Sequence, residues 1–405
     1  MVMWLGWLWV WAGSLRAQES VWISLAGEEA AAARRAALAQ QRFNVEWGTL
    51  GLRFGGGLEV EANDNVRSEV RDEKEDLIFR PRVNINGVWR VSDRNSLNLG
   101  LGVGYVTYLK GTEPDNLVIT PGSDLDFDVW IGDFEINLHS RFTYSQDATA
   151  DPTASGVGTL NRFVNVSGTR VRWDLYDLVL AFNYDHLTYV ATMPEFSYMS
   201  HVSELGAFSA ALRLAPDFFA GLQVGAGMTD FDEPVFRDNV HVAGGPFIQW
   251  VVSDYTRVRL AAGYTTYFNQ ALGTNRPAST LSSFFFDLRA QNRLTEFLTH
   301  TLSAGNQVLS GVGDSTFELL YVRYEAVWRL FEKTGLTTSF SYEFASSTSA
   351  RFEGLERFGV GLSLHRGITP RLVASLSYQG YFRMGDDEDQ EYVQNRLVLS
   401  LSYTF

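Results

Sequence analysis

From residue 43 to its end the chain repeats one unit: a run of roughly 14 to 18 residues that alternates apolar with small or polar side chains, followed by a break. In the first run Leu50, Leu52, Phe54, Leu58 and Val60 share one parity, and Arg53, Gly55, Gly57, Glu59 and Glu61 take the other. In the last, Leu397, Leu399, Leu401, Tyr403 and Phe405 alternate with Arg396, Val398, Ser400, Ser402 and Thr404. A period of two with one apolar face is a strand, so the chain predicts β-structure almost throughout. The runs fall at 43–62, 77–91, 96–109, 117–131, 134–145, 159–175, 178–191, 197–214, 218–231, 238–252, 256–269, 280–293, 297–310, 316–331, 335–346, 353–366, 370–384 and 391–405.

The breaks alternate in length. Every second one is tight: Ser92 to Asn95, Gly132-Asp133, Tyr176-Asp177, Ala215 to Asp217, Ser253 to Tyr255, Leu294 to Glu296, Glu332 to Thr334 and Gly367 to Thr369. The others tend to be longer and polar, as at 63–76, 146–158, 270–279 and Gly385 to Gln390. An even number of strands with short turns at one end and long loops at the other predicts an all-β fold: a transmembrane, antiparallel up-and-down barrel of about 18 strands. Its expected home is the bacterial outer membrane, with the short turns periplasmic and the long loops outside.

Aromatic residues sort by strand direction. Trp89, Trp173, Trp250 and Trp328 occupy the outward parity near the inner end of descending strands. Tyr105, Tyr144, Tyr184, Tyr264, Tyr342 and Tyr378 occupy it in the outer half of ascending strands. Two such rings are expected at lipid–water interfaces, where an apolar ring and a polar tip are both accommodated. Three places resist the pattern. Outward Val164 and Val166 differ in parity from Val171 and Trp173, which calls for a bulge near Gly168. Trp130 falls on the inward parity, and Glu204 and His186 fall on the outward one.

Residues 1–17 read as a secretory signal, with an apolar Met1 to Gly13 run and a cleavage point after Ala17. Residues 18–42 are Ala-rich, with Glu28 and Glu29 early and Arg34, Arg35 and Arg42 late, and predict a short helix that either leads in from the periplasm or plugs the lumen. The barrel is expected over 43–405. The chain has no cysteine, which excludes disulfides and thiolate chemistry, and a formal net charge of -14 argues against nucleic-acid binding.

The inward parity is rich in arginine: Arg53, Arg80, Arg82, Arg90, Arg141, Arg170, Arg172, Arg213, Arg257, Arg259, Arg289, Arg293, Arg323, Arg329, Arg371, Arg383 and Arg396. Its acids cluster as Asp124, Asp126 and Asp128 on one strand, with Glu135 and His139 on the next, and Asp287, Glu325 and Glu343 scattered. Opposed walls of this kind set a transverse field across a wet lumen. The arginines admit two roles, selecting anionic or acidic-sugar solutes or bracing the wall by pairing with acids on neighbouring strands. The carboxylates of 123–135 have oxygen-ligand chemistry for a divalent cation, but their spacing is already explained by strand alternation. No metal or cofactor is expected. The six histidines, His139, His186, His201, His241, His300 and His365, sit on separate strands with no local nucleophile motif, so an enzyme is not expected.

The closing Leu399, Leu401, Tyr403 and terminal Phe405 resemble the last-strand motif of bacterial outer-membrane proteins, which implies recognition by the barrel-assembly machinery. Residues Glu61 through Leu109, with Asn63-Asp64-Asn65, Arg80-Pro81, Trp89 and the Leu97 to Tyr108 run, resemble the opening of a family of beta-barrel porins of unknown function. That resemblance implies an outer-membrane location and contact with its lipid and lipopolysaccharide. It carries no catalytic residue. The leading expectation is a porin-like channel for passive diffusion of small hydrophilic solutes, with a preference for anions open. The alternatives are an exopolysaccharide or envelope-polymer conduit, with Tyr108, Tyr267, Phe285, Tyr321 and Tyr381 stacking on sugars, or a plugged structural or adhesive barrel.

Overall fold

The computed structural model describes residues 43–147, 159–273, 276–310, 316–347, 354–385 and 391–405; the expected signal and helix over 1–42 lie outside them. A short arm, β1 (Val45–Trp47), precedes the barrel strands β2 (Leu50–Asn63), β3 (Asp76–Arg90), β4 (Ser96–Tyr108), β5 (Asn116–Ile131), β6 (Phe134–Asp147), β7 (Thr159–Asp174), β8 (Leu178–Ala191), β9 (His201–Ala215) and β10 (Phe218–Phe231). The ring continues through β11 (Asn239–Ser253), β12 (Thr256–Asn269), β13 (Ser279–Arg293), β14 (Leu298–Ser310), β15 (Thr316–Phe331), β16 (Thr334–Ser347), β17 (Leu355–Gly367), β18 (Leu372–Gly385) and β19 (Tyr392–Thr404). Each strand pairs antiparallel with the next, and β19 pairs with β2 from Arg396↔Asn63 to Thr404↔Gly55, closing an 18-stranded barrel. Closure joins the two edge strands of the sheet, so backbone groups find partners around the ring, with the β13–β14 ladder confined to Phe286–Arg293.

The eighteen expected runs correspond one for one to β2–β19, and the spans 178–191, 218–231, 256–269 and 316–331 coincide in full. The first run is shorter than expected, because Gly48 takes a φ of 59° and folds β1 back onto Leu50–Leu52. The run expected from 197 starts at His201, since Pro194–Met199 form a 3₁₀ turn with Pro194 in its first positions, where a missing N–H costs nothing.

The expected bulge at Gly168 is absent. β6 and β7 pair in unbroken register from Phe134↔Trp173 to Ser145↔Arg162, so Asn165, Ser167 and Thr169 face outward with Trp173. Val164 and Val166 therefore face inward, where they pack on a cluster of Leu160, Leu187, Tyr189, Met199 and Phe236. This cluster seats the 194–199 turn and the β10–β11 connection against the inner wall at the long-loop end. The ladder shifts instead in β5, between Ile119 and Ser123, where Gly122 has a φ of 92°. Ser123 Oγ secures that bulge by accepting from the Gly102 amide at 3.0 Å and donating to the Thr120 carbonyl at 2.9 Å.

The ladder fixes which face each residue takes. Outward positions carry Val83, Leu99, Leu222, Val360 and Leu399, all exposed. A closed antiparallel ring whose apolar side chains point away from its axis is the inverse of a soluble fold and needs hydrocarbon around it.

Candidate functional site: the inward face of the barrel

The inward face is where charge collects, and three regions of it are built differently. On β12–β18, Arg257, Arg259, Arg289, Arg293, Arg323, Arg329, Arg357 and Arg383 point inward against Asp287, Glu325 and Glu343. Arg259 donates to Asp287 Oδ1 at 3.2 Å and to Gln223 Oε1 at 2.9 Å, while the Tyr321 hydroxyl donates to Asp287 Oδ2 at 3.2 Å. Arg323 and Arg357 share Glu343, at 2.6 Å to Oε1 and 2.9 Å to Oε2. Arg289 stands directly opposite Arg259 across the β12–β13 ladder. Like charges in that position repel. Arg289 and Arg257 are exposed on the inward side, so their charge acts on the lumen.

At the seam, Glu61 is fully buried. It accepts from Arg396 Nε at 2.7 Å and Nη2 at 2.8 Å, and also from Arg80, which reaches Glu59 at 3.3 Å. Arg82 donates to Ser402 at 3.5 Å and Arg53 to Thr404 at 3.0 Å, so these two arginines are tied across the closure. At the long-loop end the Glu113 carboxylate, by hydrogen bond and charge, holds the Arg67 guanidinium above its ordinary range against the opposing effect of burial.

The third region, on β5–β8, holds the acids. Asp124, Asp126 and Asp128 face inward but are buried. Asn137 Nδ2 donates to Asp128 at 2.8 Å, and Asn98 Nδ2 to Asp128 at 3.2 Å. His139 lies between Asn137 Oδ1 at 3.0 Å and Asp185 Oδ1 at 2.6 Å, so both ring nitrogens are engaged and neither is placed to activate a nucleophile. Glu135 meets Arg172 at 3.7 Å, and Arg141 stands opposite Asp124. Among the described residues no cluster of three or more His, Asp or Glu is arranged to hold a metal ion.

Arg90 is exposed on the inward face at the short-turn end, and Arg383 sits 5.8 Å from the Tyr392 ring. Arg371 falls in the turn before β18 and not in the strand that was expected to carry it, which places it at the rim. Sequence reasoning did not single out Glu61, Asp185 or Arg357 as site residues. Each needed the register, which sets who faces whom. On the other side of the wall, all ten expected interface aromatics are on the outward ladder positions, and Trp173 stacks on Phe134 at 4.9 Å. Tyr403 and Phe405 are exposed, with rings 5.2 Å apart. Trp130 stays inward, as its parity indicated.

The chain is a closed 18-stranded β-barrel with an apolar outer face. No family model matches it, and no curated protein does. Among solved structures the barrel is similar in outline to OmpT of Vibrio cholerae, an outer-membrane protein, at 11% identity and a TM-score of 0.45 over 89% of this chain and 99% of that one. It is also similar to OccK2 (OpdF) of Pseudomonas aeruginosa, at 10% identity and a TM-score of 0.48 over 87% and 98%. The structure of OccK2 in complex with glucuronate gives 9% and 0.49 over 87% and 98%. At such identities no residue role and no solute transfer to this chain.

Proposed function

We propose that the barrel is a porin-like channel through which small hydrophilic solutes diffuse passively, with anions favoured. The observation that supports this most is the excess of inward arginine over inward acid on β12–β18, with Arg257 and Arg289 exposed to the lumen while the Asp124, Asp126 and Asp128 row opposite is buried. Exposed charge focused by low-dielectric walls raises the local concentration of the opposite ion. The seated 194–199 turn narrows the long-loop mouth, which faces outside the cell, and the Trp and Tyr rings hold the barrel at the two interfaces.

The test is conductance of the purified full chain in planar bilayers under a salt gradient. Discrete steps with a reversal potential on the anion side are expected. Combining Arg257→Glu with Arg289→Glu should move that potential toward cations. Folded protein that never conducts would remove the channel reading, and an unmoved potential would remove the anion preference. For the polymer-conduit alternative, Tyr108, Tyr267, Phe285 and Tyr321 are buried in the wall, which leaves the half-buried Tyr381 as the inward ring of that set within reach of a passing sugar.

A further inference from the structure

The β13–β14 ladder stops at Phe286↔Asn306, well short of the outer ends of both strands, whereas β12–β13 runs on to Asn269↔Ser279 and β14–β15 to Ser310↔Thr316. Above that point Ser279–Phe285 and Gln307–Ser310 are neighbours in the ring with no backbone pairing between them among the described residues. Side chains stand in at the foot of this split: the Phe284 carbonyl accepts from Asn306 Nδ2 at 3.0 Å and from Ser283 Oγ at 3.3 Å. Val308 takes the outward parity of β14 and yet is fully buried, so protein covers a position whose counterparts elsewhere in the ring face lipid. From the lumen side Tyr267 of β12 reaches past β13 and donates to the Val308 carbonyl at 3.4 Å.

Unbroken pairing is what lets strands cross a bilayer, and an interrupted ladder is tolerated at membrane depth only where it is buried or lines a cavity. The groups around this split are apolar on both sides of the wall. Outside, Tyr264 and Phe284 at its foot and Phe268 above them are exposed, and the Tyr264 and Phe284 rings meet edge to face at 5.7 Å. Tyr264 belongs to the outer interface ring, so the split opens where acyl chains meet head groups. Inside, Phe285, Val308 and Leu319 are buried. Two polar side chains lie beside them. Gln307 Nε2 and both ring nitrogens of His241 are buried with no hydrogen-bond partner among the described residues. Tyr267 joins the two, stacking on His241 at 4.8 Å and bonding the carbonyl of the residue after Gln307. A buried donor left unmet is costly, and an amide N–H and an imidazole held in this way suit the oxygens of a carboxylate.

We propose that the split between β13 and β14 is a lateral passage for a long-chain carboxylic acid between the lumen and the leaflet at the long-loop end, its chain against Phe284, Phe285 and Val308 and its carboxylate at Gln307 and His241. This route is separate from axial diffusion of hydrophilic solutes and stands whether or not the barrel conducts ions. The experiment exposes the full chain in lipid vesicles to a long-chain fatty acid with a photo-reactive diazirine in its chain and locates the adducts by mass spectrometry. Adducts are expected on outward Phe284 and on inward Phe285 or Leu319. On β17 they are expected only on outward Val360 and Leu362, and not on inward Gly361 or Ser363. Phe284→Glu, which sets a charge on the outer lip, and Gln307→Leu, which keeps the size and removes the amide, should each abolish the inward adducts. In both variants Val360 should stay labelled and the barrel should keep its heat-modifiable, folded mobility. Outward adducts alone, inward adducts of equal yield on β17, or inward adducts that survive Phe284→Glu, as entry through the mouth would give, would overturn the passage. Inward adducts that survive only Gln307→Leu would overturn the carboxylate site.

Discussion

Glu61 and Arg396, residues of the first and last barrel strands, meet as a bidentate ion pair inside the wall, with Nε and Nη2 of the arginine at 2.7 and 2.8 Å from the two carboxylate oxygens. Arg80 completes the cluster from the other side. Removing one partner of a buried pair strands the others, at a cost of about 3–5 kcal/mol. Glu61→Ala should therefore lower the free energy of urea unfolding of the refolded barrel by that amount. Joining Glu61→Ala to Arg396→Ala should recover part of it, since a charge no longer lies unpaired. Additive losses in that double-mutant cycle would mean that the two groups do not interact.

Arginines on one wall should separate into two kinds. Arg357 is buried on Glu343, so Arg357→Met should destabilise the barrel by about 3–5 kcal/mol and leave ion selectivity where it was. Arg257→Glu should do the reverse, shifting the reversal potential in bilayers with little change in unfolding, because Arg257 is exposed to the lumen. Equal effects of the two substitutions on selectivity would contradict this division.

The lipid side can be probed by a charge. Leu222 is outward and 64% exposed near the middle of β10, so Leu222→Arg should cost about 2–4 kcal/mol in lipid vesicles. An arginine at an exposed inward position, Ser339→Arg opposite Glu325, should be tolerated far better, since it can reach water in the lumen. Comparable losses at both positions would place Leu222 off the hydrocarbon.

Gly168 tests the register of β6–β8. A Cβ added there would lie 2.2 Å from the Tyr184 carbonyl oxygen and 2.5 Å from Asp185 Oδ1. Gly168→Val should thus force the wall apart and break the His139–Asp185 contact, giving a barrel that unfolds at lower temperature on semi-native gels. A bulge at this position would have left room for the side chain and produced no such shift.

The strands were legible because an alternating sequence in a closed barrel has two solvents to satisfy, and turn residues such as Gly132-Asp133 mark where one strand stops. Parity failed only where an apolar residue has a third environment. Val164 and Val166 look lipid-facing by composition, yet they pack beneath the 194–199 turn, a loop contact that no periodicity announces. The arginine-rich inner face was equally legible, whereas its division into bracing and lumen-facing groups was not. That division depends on which acid lies across the ladder, as Glu343 does for Arg323 and Arg357 and as Glu61 does for Arg80 and Arg396.

The Glu61–Arg396 contact joins residues 335 positions apart, so it cannot form until every intervening strand is in place. Loop-closure entropy makes such a contact a late event in folding. A slip of one residue between β19 and β2 would turn the Glu61 side chain from the lumen to the lipid, where its charge is most costly. The seam cluster thus acts as proofreading on a finished ring: a chain that closes out of register is left with a charge the membrane rejects, and reopening is easier for it than for the correct barrel.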